Sequence, residues 1–243
     1  MAARSTCGKV FGQTNILKEI MASDKLVFLF DVDNTLLDND RVTADLKRHL
    51  AQHVGLDRQQ RYWEIFEQLR TEIGYADYLG ALQRYRIEHP RDPGLLTVSH
   101  FLLNYPFATR LYPDSLDAVE HVKQWGKPVI LSDGDVVFQP HKIECSGIAE
   151  AVDCNVLIYI HKEQELDDVE CRFPAEHYVL IDDKLRILTA VKKIWGSKVT
   201  TVFPKQGHYA NDPQVLAMLP PADISIARIG DLLNYDLKSL HLV

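Results

Sequence analysis

Two aspartates that follow a run of apolar residues carry the strongest chemical signal in this chain. The run Leu26–Phe30 is followed directly by Asp31, and a single residue separates Asp31 from Asp33. The run is typical of a strand buried on both faces of a parallel sheet. If the strand stays extended through Val32, its two-residue period places both carboxylates on the same side. Because two ionised carboxylates at the end of a buried strand need a cation or a shared proton, the pattern indicates chemistry rather than stability.

Four further segments have the composition of buried strands. Each is short, rich in β-branched residues and bounded by glycine, proline or charged residues. Helical patterns lie between them at 114–125, 139–148 and 185–195, with Asp114 placed to cap the first of these helices. Alternating strands and helices predict an α/β protein with a Rossmann-like, doubly wound parallel sheet. The four predicted strands are Lys127–Ser132, Cys154–Ile160, His177–Ile181 and Lys198–Phe203.

The segment between the first two strands has a different pattern. It shows helical periodicity and no strand-like alternation, with amphipathic helices predicted around 62–73 and 75–87. A connection of roughly 70 residues is far longer than an ordinary loop, so it predicts a small inserted subdomain. The predicted organisation is an α/β core domain formed by residues 1–37 and 111–243, with a helical cap domain formed by residues 38–110.

The ends of the later strands also deliver functional groups. Ligands of parallel α/β sheets bind outside the carboxyl ends of the strands. The second strand ends in Ser132, and the third is followed by Lys162. The fourth ends in the acidic pair Asp182 and Asp183. One edge of the sheet is therefore predicted to collect several carboxylates, a hydroxyl and a lysine.

A second lysine competes with Lys162 for a place at this edge. Lys142 lies in the helix that is predicted after the second strand, and we expect it on the outer surface of that helix. Lys162 directly follows a strand, so the sequence favours Lys162. Several other polar residues are expected to be solvated or to line only the margin of the site, and four arginines among them are candidates for gripping a second anionic group. They are Asp135, His161, the segment 206–209, Arg84, Arg86, Arg91 and Arg110.

Taken in order, these residues resemble the motifs of the haloacid dehalogenase superfamily, whose members are mostly phosphatases that act through an aspartyl-phosphate. The first motif, DxDxT, corresponds to residues 31–35. The other three correspond to Ser132, Lys162 and the pair Asp182-Asp183. The resemblance spans about residues 25–203, and its specificity comes from finding all four motifs in order at predicted strand ends.

The resemblance implies a catalytic set of four residues. Asp31 is the expected nucleophile toward phosphorus. Asp33 is the expected acid that protonates the leaving alcohol, and then the base that deprotonates the attacking water. Lys162 is expected to neutralise the nucleophile and a phosphate oxygen, while Ser132 donates a hydrogen bond to the phosphate.

The resemblance also implies Mg²⁺ as the cofactor. Its expected ligands are Asp31, the main-chain carbonyl of Asp33, Asp182 and Asp183, all of which supply the oxygen atoms that this cation prefers. Such an ion would offset the repulsion between the acids and a phosphate group.

The predicted function is therefore Mg²⁺-dependent hydrolysis of a small phosphorylated metabolite. The acid at position 33 favours phosphate esters over haloacids, because a halide leaves without a proton and the superfamily's dehalogenases are understood to lack an acid there. A phosphomutase is an alternative that keeps all four motifs and passes the phosphoryl group to a sugar hydroxyl. A protein that binds a ligand or partner without turnover is the third alternative.

Composition narrows the expected partners and location. A net charge of -7 argues against binding to nucleic acid or to an acidic membrane surface. No apolar run approaches the ~20 residues that span a bilayer, and residues 1–25 contain no continuous apolar segment like that of a signal peptide. The four cysteines lack metal-ligand spacing and are expected to be reduced, mostly packing residues. The sequence thus predicts a cytoplasmic monomer or homodimer.

Overall fold

Six parallel strands form one sheet in the computed structural model, which describes residues 24–235. The strand order is β3-β2-β1-β4-β5-β6, so β1 lies inside the sheet between β2 and β4. From β1, the chain adds β2 and β3 on one side of the sheet and then β4, β5 and β6 on the other. This is the doubly wound arrangement predicted from the sequence. The strands are β1 (Asp24–Phe30), β2 (Lys127–Asp133), β3 (Val156–Tyr159), β4 (Ala175–Ile181), β5 (Val199–Pro204) and β6 (Ile224–Ile226).

Each predicted strand is present, with ends that shift by one or two residues. No sequence pattern predicts β6, which has only three residues at the edge of the sheet. Alternate residues of β1 enter two separate buried clusters: Phe28 and Phe30 belong to one, and Val27 and Leu29 belong to the other. The sheet is therefore covered on both faces, which explains why β1 is a continuous apolar run rather than an alternating one.

Helices cover both faces of the sheet and fill the long connection after β1. The cluster that contains Phe28 continues into the inserted helices, where Tyr62, Phe66 and Leu69 are buried. The helices are α1 (Asn39–His53), α2 (Leu56–Ile73), α3 (Tyr78–Glu88), α4 (Leu95–Leu103), α5 (Ser115–Val122), α6 (Phe138–Cys145), α7 (Ile148–Ala151), α8 (Leu166–Arg172), α9 (Leu185–Trp195) and α10 (Pro213–Met218). Short 3₁₀ helices lie at Phe107–Arg110, Lys162–Gln164, Gly196–Lys198, Tyr209–Asn211 and Ile229–Asn234.

The chain leaves the core and returns to it at one place. Leu37 and Leu111 form an antiparallel bridge, and the N–H of Asp38 donates to the carbonyl of Arg110 at 2.7 Å. These contacts flank the segment 38–110, and within it the structure has helices α1 to α4 and no strand. We call this segment the helical insertion.

Two local expectations were wrong. Asp114 occupies the N-cap position of α5, but it has a positive φ of 64° and its side chain makes no capping hydrogen bond to the helix. Cys145, Cys154 and Cys171 are exposed rather than packed in the core, and Cys7 lies outside the described residues.

Between residues 24 and 235, the structure has no helix whose length and apolar character would let it cross a membrane.

Candidate active site

Asp31 is placed by an extension of the sheet beyond the end of β1. Its N–H donates to the carbonyl of Ile181 at 2.9 Å, which continues the pairing with β4 by one residue. The side chain is 3% exposed, and Lys162 Nζ donates to its Oδ1 at 2.5 Å. Its other oxygen, Oδ2, is buried without a hydrogen-bond partner among the described residues. One carboxylate oxygen is therefore neutralised, and the other is free to bind a cation.

Lys162 lies between Asp31 and Asp182 and contacts both. It begins the 3₁₀ helix after β3 and is completely buried. Besides Asp31, its ammonium lies 2.6 Å from Asp182 Oδ2 and donates to the carbonyl of Leu131 at 3.1 Å. Burial alone would lower the pKa of Lys162, but the carboxylates of Asp182 and Asp31 outweigh burial and raise it above its usual value. Lys162 is thus a permanent cation at the centre of the acidic groups.

The acidic pair after β4 completes the cluster. Asp182 and Asp183 are completely buried, and together with Asp31 they place carboxylate oxygens within 4.8 Å of one another. Burial, and then the charges of neighbouring carboxylates, raise the pKa of both residues above its usual value. The N–H of Asp183 donates to the hydroxyl of Thr35 at 3.1 Å, so the first and fourth motifs are joined directly. We call Asp31, Asp182 and Asp183 the carboxylate cluster.

The carboxylate cluster fits a hard divalent cation. Both carboxylate oxygens of Asp183 and Oδ2 of Asp31 are buried, and no residue in the described part of the chain donates a hydrogen bond to them. Buried, unpartnered carboxylate oxygens are costly unless a cation satisfies them. An all-oxygen donor set of this kind is the one that Mg²⁺ and related ions bind.

Asp33 lies near this cluster but has a different partner. Its side chain is 25% exposed, and Lys142 Nζ donates to its two oxygens at 2.7 and 3.0 Å. Each of the two motif aspartates therefore contacts its own lysine: Asp31 contacts Lys162, and Asp33 contacts Lys142.

The expected position of Lys142 was wrong. It was predicted on the outer surface of its helix, but it is 1% exposed and faces the site from α6. The helix α6 starts only five residues after β2 ends, so its first turns stay close to the carboxyl edge of the sheet. Periodicity alone does not show which face of such a short helix lies toward the site, because its side chains are mixed in polarity.

Ser132 is buried at the end of β2 and is held by a residue that the sequence analysis did not single out. Gln139 Nε2 donates to Ser132 Oγ at 3.0 Å and also approaches Asp33 Oδ2 at 3.5 Å. Gln139 is itself 4% exposed. Its spacing of three residues from Lys142 on α6 is the sequence signal that could have linked both side chains to one face.

The other candidates mostly make structural contacts. Arg84 and Arg110 pair with acids of the helical insertion, Glu72 and Asp45 respectively. Asp135 accepts hydrogen bonds from the N–H groups that begin α6. In the segment 206–209, Gln206 donates to the carbonyl of Thr35 and His208 contacts Asp40, so this loop supports the turn of the first motif.

A cleft of about 350 Å³ separates the helical insertion from the loops after β2 and β3. Its walls are mixed, with acidic, aromatic and aliphatic side chains. The residues that line it include Tyr75, Asp77 and Gln83 from the insertion, and Asp135, Val137 and Ile160 from the core.

Comparison with known families decides the class of this site. A model described as "haloacid dehalogenase-like hydrolase" matches residues 26–191, which contain every element of the carboxylate cluster. The chain belongs to this family. A haloacid dehalogenase-like hydrolase of Burkholderia xenovorans LB400 is 60% identical in sequence, with a TM-score of 0.84 over 89% of this chain and 98% of that one. This protein is therefore a hydrolase with the α/β fold that its sequence predicts.

More distant solved structures share the fold of this chain. The L-2-haloacid dehalogenase of Xanthobacter autotrophicus is 16% identical, with a TM-score of 0.57 over 86% of this chain and 96% of that chain. The HAD-hydrolase YfnB of Bacillus subtilis, solved bound to magnesium, is 18% identical, with a TM-score of 0.56 over 87% of this chain and 99% of that chain. No protein in the curated comparison matches the chain.

Proposed function

We propose that this hydrolase is a Mg²⁺-dependent phosphomonoesterase that acts on a small phosphorylated metabolite through an aspartyl-phosphate on Asp31. The observation that carries the proposal is the pairing of a buried nucleophile with a partly exposed acid two residues later. Asp31 is 3% exposed and Asp33 is 25% exposed, so one can be sheltered with the phosphorus while the other reaches the ester oxygen.

In the first half-reaction, a carboxylate oxygen of Asp31 forms a bond to phosphorus as the ester P–O bond breaks. The leaving oxygen takes a proton from the carboxylic acid of Asp33 and departs as an alcohol. In the second, Asp33 accepts a proton from water as the water oxygen bonds to phosphorus and the bond to Asp31 breaks. The products are inorganic phosphate and regenerated Asp31.

Two residues, Lys162 and Ser132, would stabilise the negative charge of a bound phosphate group. Lys162 contacts Asp31, Asp182 and the carbonyl of Leu131, so it would attract a phosphate oxygen by its charge and would exchange one of these contacts to donate to it. Ser132 Oγ, which accepts a hydrogen bond from Gln139 at the end of β2, would donate to another phosphate oxygen.

The carboxylates of Asp31, Asp182 and Asp183, with the carbonyl of Asp33, would hold the Mg²⁺ ion. Bound there, Mg²⁺ supplies positive charge that offsets the negative charge of the phosphate and of the cluster itself. The unpartnered oxygens of Asp31 and Asp183 are the structural support for this assignment.

A haloacid dehalogenase activity fits these residues less well. A halide leaves as an anion and needs no acid, so the Asp33 carboxyl group would have no role. The unpartnered carboxylates of the cluster would also repel an anionic haloacid. A phosphate ester uses both features, since it needs a proton for its leaving group and a cation for its charge.

The helical insertion favours a small substrate over a large one. Between the insertion and the loops after β2 and β3 lies a cleft of about 350 Å³, which is of small-molecule size although none of the residues of the carboxylate cluster lines it. We propose that the insertion acts as a cap that shelters the aspartyl-phosphate from bulk water and opens to release products.

The first test is hydrolysis of p-nitrophenyl phosphate with Mg²⁺ and with EDTA, using the wild type, Asp31→Asn and Asp33→Asn. Asp167→Asn, which changes an exposed acid in the first turn of α8, serves as the matched control. We expect Mg²⁺-dependent turnover in the wild type and the control. Asp31→Asn should lose it, and acid quenching of the wild type should trap phosphate on Asp31.

The outcomes separate the alternatives. Turnover that survives in Asp31→Asn would contradict the mechanism. Release of chloride from 2-chloropropionate, without phosphatase activity on a panel of phosphorylated metabolites, would favour a dehalogenase. Transfer of the phosphoryl group to a sugar hydroxyl, seen by product analysis, would identify a mutase.

A further inference from the structure

Lys142 is a buried cation that the proposed reaction steps do not use. Its ammonium makes three short contacts: two with the carboxylate of Asp33, at 2.7 and 3.0 Å, and one with Asn39 Oδ1, at 3.1 Å. An ammonium has three protons to donate, so these contacts use its whole capacity. The residue is only 1% exposed, and its side chain is therefore held in one position.

Stability is a weak explanation for this arrangement. Removing an ammonium from water costs several kcal/mol in general, and the attraction to one carboxylate roughly offsets that cost. What the contact does supply is orientation, because Lys142 holds both oxygens of Asp33, while Gln139 approaches only one of them, at 3.5 Å. The Asp33 side chain nevertheless remains 25% exposed.

The third contact connects this pair to the helical insertion. Asn39 is the first residue of α1, and its Nδ2 lies 3.4 Å from the hydroxyl of Tyr78, the first residue of α3. The Tyr78 hydroxyl also lies 3.2 Å from Thr43 Oγ1 in α1. Lys142, which belongs to the core, therefore touches both the acid of the first motif and the start of the inserted helices.

We propose that Lys142 is a positioning residue that sets the orientation of the Asp33 carboxyl group relative to the helical insertion, so that the acid faces the leaving-group oxygen. The inference rests on the proposed phosphomonoesterase function. In the bond-making step the proton still comes from Asp33 and goes to the ester oxygen, while Lys142 exchanges no proton and touches no substrate atom. Its effect should therefore appear only where protonation of the leaving group matters.

Two substrates of almost the same shape isolate this effect. Phenyl phosphate has a basic leaving group that needs an acid, whereas p-nitrophenyl phosphate has a much better leaving group and needs one less. The value of kcat/KM reports formation of the aspartyl-phosphate for both. The measured quantity is the ratio of kcat/KM for phenyl phosphate to that for p-nitrophenyl phosphate.

We expect Lys142→Met to lower this ratio by roughly tenfold or more, a part of what a general acid contributes. In an Asp33→Asn background, Lys142→Met should leave the ratio unchanged, because the group through which it acts is gone. Asn39→Ala, which removes the third contact, should lower the ratio in the same direction by a smaller factor. Lys192→Met is the matched control, since Lys192 pairs with Asp223 beside β5, away from the site.

The possible results decide between the explanations. Equal losses for both esters in Lys142→Met, or an unchanged ratio, would overturn the positioning role while leaving the phosphatase proposal intact. If Lys142→Met does not fold, Asn39→Ala decides alone, and an unchanged ratio there overturns the inference. A folded wild type that hydrolyses neither ester nor any phosphorylated metabolite overturns both proposals.

Discussion

The N–H of Asp183 donates a hydrogen bond to the hydroxyl of Thr35 at 3.1 Å, across 148 positions in the sequence. Thr35 is completely buried, and its carbonyl also accepts a hydrogen bond from Gln206. The hydroxyl therefore holds the loop after β4 against the turn after β1, and it fixes the place of one member of the carboxylate cluster.

Replacing Thr35 tests this link. Thr35→Val keeps the shape of the side chain but leaves the N–H of Asp183 without its acceptor, so we expect Mg²⁺ affinity to fall roughly 10-fold or more. Isothermal titration with Mg²⁺ measures the effect. Thr35→Ser keeps the hydroxyl and should bind Mg²⁺ nearly as well as the wild type. Equal affinity in the Val and Ser variants would show that the hydrogen bond does not organise the metal site.

Removing one charge from the carboxylate cluster should stabilise the protein when no divalent cation is present. Asp183 is completely buried, neither of its oxygens has a hydrogen-bond partner within residues 24–235, and Asp31 and Asp182 lie close by. We expect Asp183→Asn to raise the free energy of unfolding in EDTA by on the order of 1 kcal/mol, since it relieves repulsion and desolvation. It should also abolish the rise in Tm that Mg²⁺ gives the wild type. A variant that is less stable in EDTA and still gains Tm from Mg²⁺ would argue against this account.

Loss of the central ammonium should abolish activity. Lys162→Met leaves Asp31 and Asp182 without their shared cation, so we expect kcat for p-nitrophenyl phosphate to fall by roughly 100-fold or more. Lys198→Met is the comparison, because Lys198 makes a half-exposed ion pair with Glu170 outside the site. Circular dichroism on both variants separates lost chemistry from lost structure. Near-normal kcat in folded Lys162→Met would contradict the assigned role.

The helical insertion contains a carboxylate whose contribution to stability should depend on pH. Burial tends to raise the pKa of Asp92, but hydrogen bonds from Tyr85, Gly94 and Arg58 outweigh burial and hold it below its usual value. A lowered pKa in the folded state means that the stabilisation is present above the unfolded pKa and is lost as the pH falls. We expect Asp92→Asn to lower the free energy of unfolding by about 1–3 kcal/mol at pH 7, with a smaller difference near pH 4.

Urea unfolding of the wild type and Asp92→Asn at the two pH values measures this difference. Asp57→Asn, at an exposed acid in the first turn of α2, should change stability by no more than about 0.5 kcal/mol at either pH. If the difference in free energy of unfolding between the wild type and Asp92→Asn grew larger toward pH 4, the ionised form of Asp92 would not be the stabilising one.

Much of this fold could be predicted from local patterns. The apolar runs that became β1, β2, β4 and β5 are continuous because their strands are buried on both faces, and that property is visible without a structure. The order of strands and helices then requires right-handed parallel connections, which bring the carboxyl ends of the strands to one edge. Asp31, Ser132, Lys162 and Asp182 were found together for this reason.

Other features depend on how elements pack. Whether Lys142 faces solvent or Asp33 depends on the rotation of a two-turn helix about its own axis, and the mixed polarity of α6 leaves that rotation undetermined. The strand β6 is too short for a periodic signal, and no local sequence pattern indicated the positive φ of Asp114. Exposure of Cys145 likewise depends on the same rotation of α6.

The sequence by itself predicted five strands of the parallel sheet, the helices after its first strand and the place of Asp31, Asp182 and Asp183 at the ends of strands, because each of these depends on short-range periodicity and on the direction of parallel strands. Only the tertiary structure assigned Lys162 to Asp31 and Lys142 to Asp33, and only it placed Gln139 on Ser132 and Thr35 beneath Asp183. The partners in these contacts lie on different elements, and a hydrogen bond forms only at the distance and angle that the packing of those elements allows.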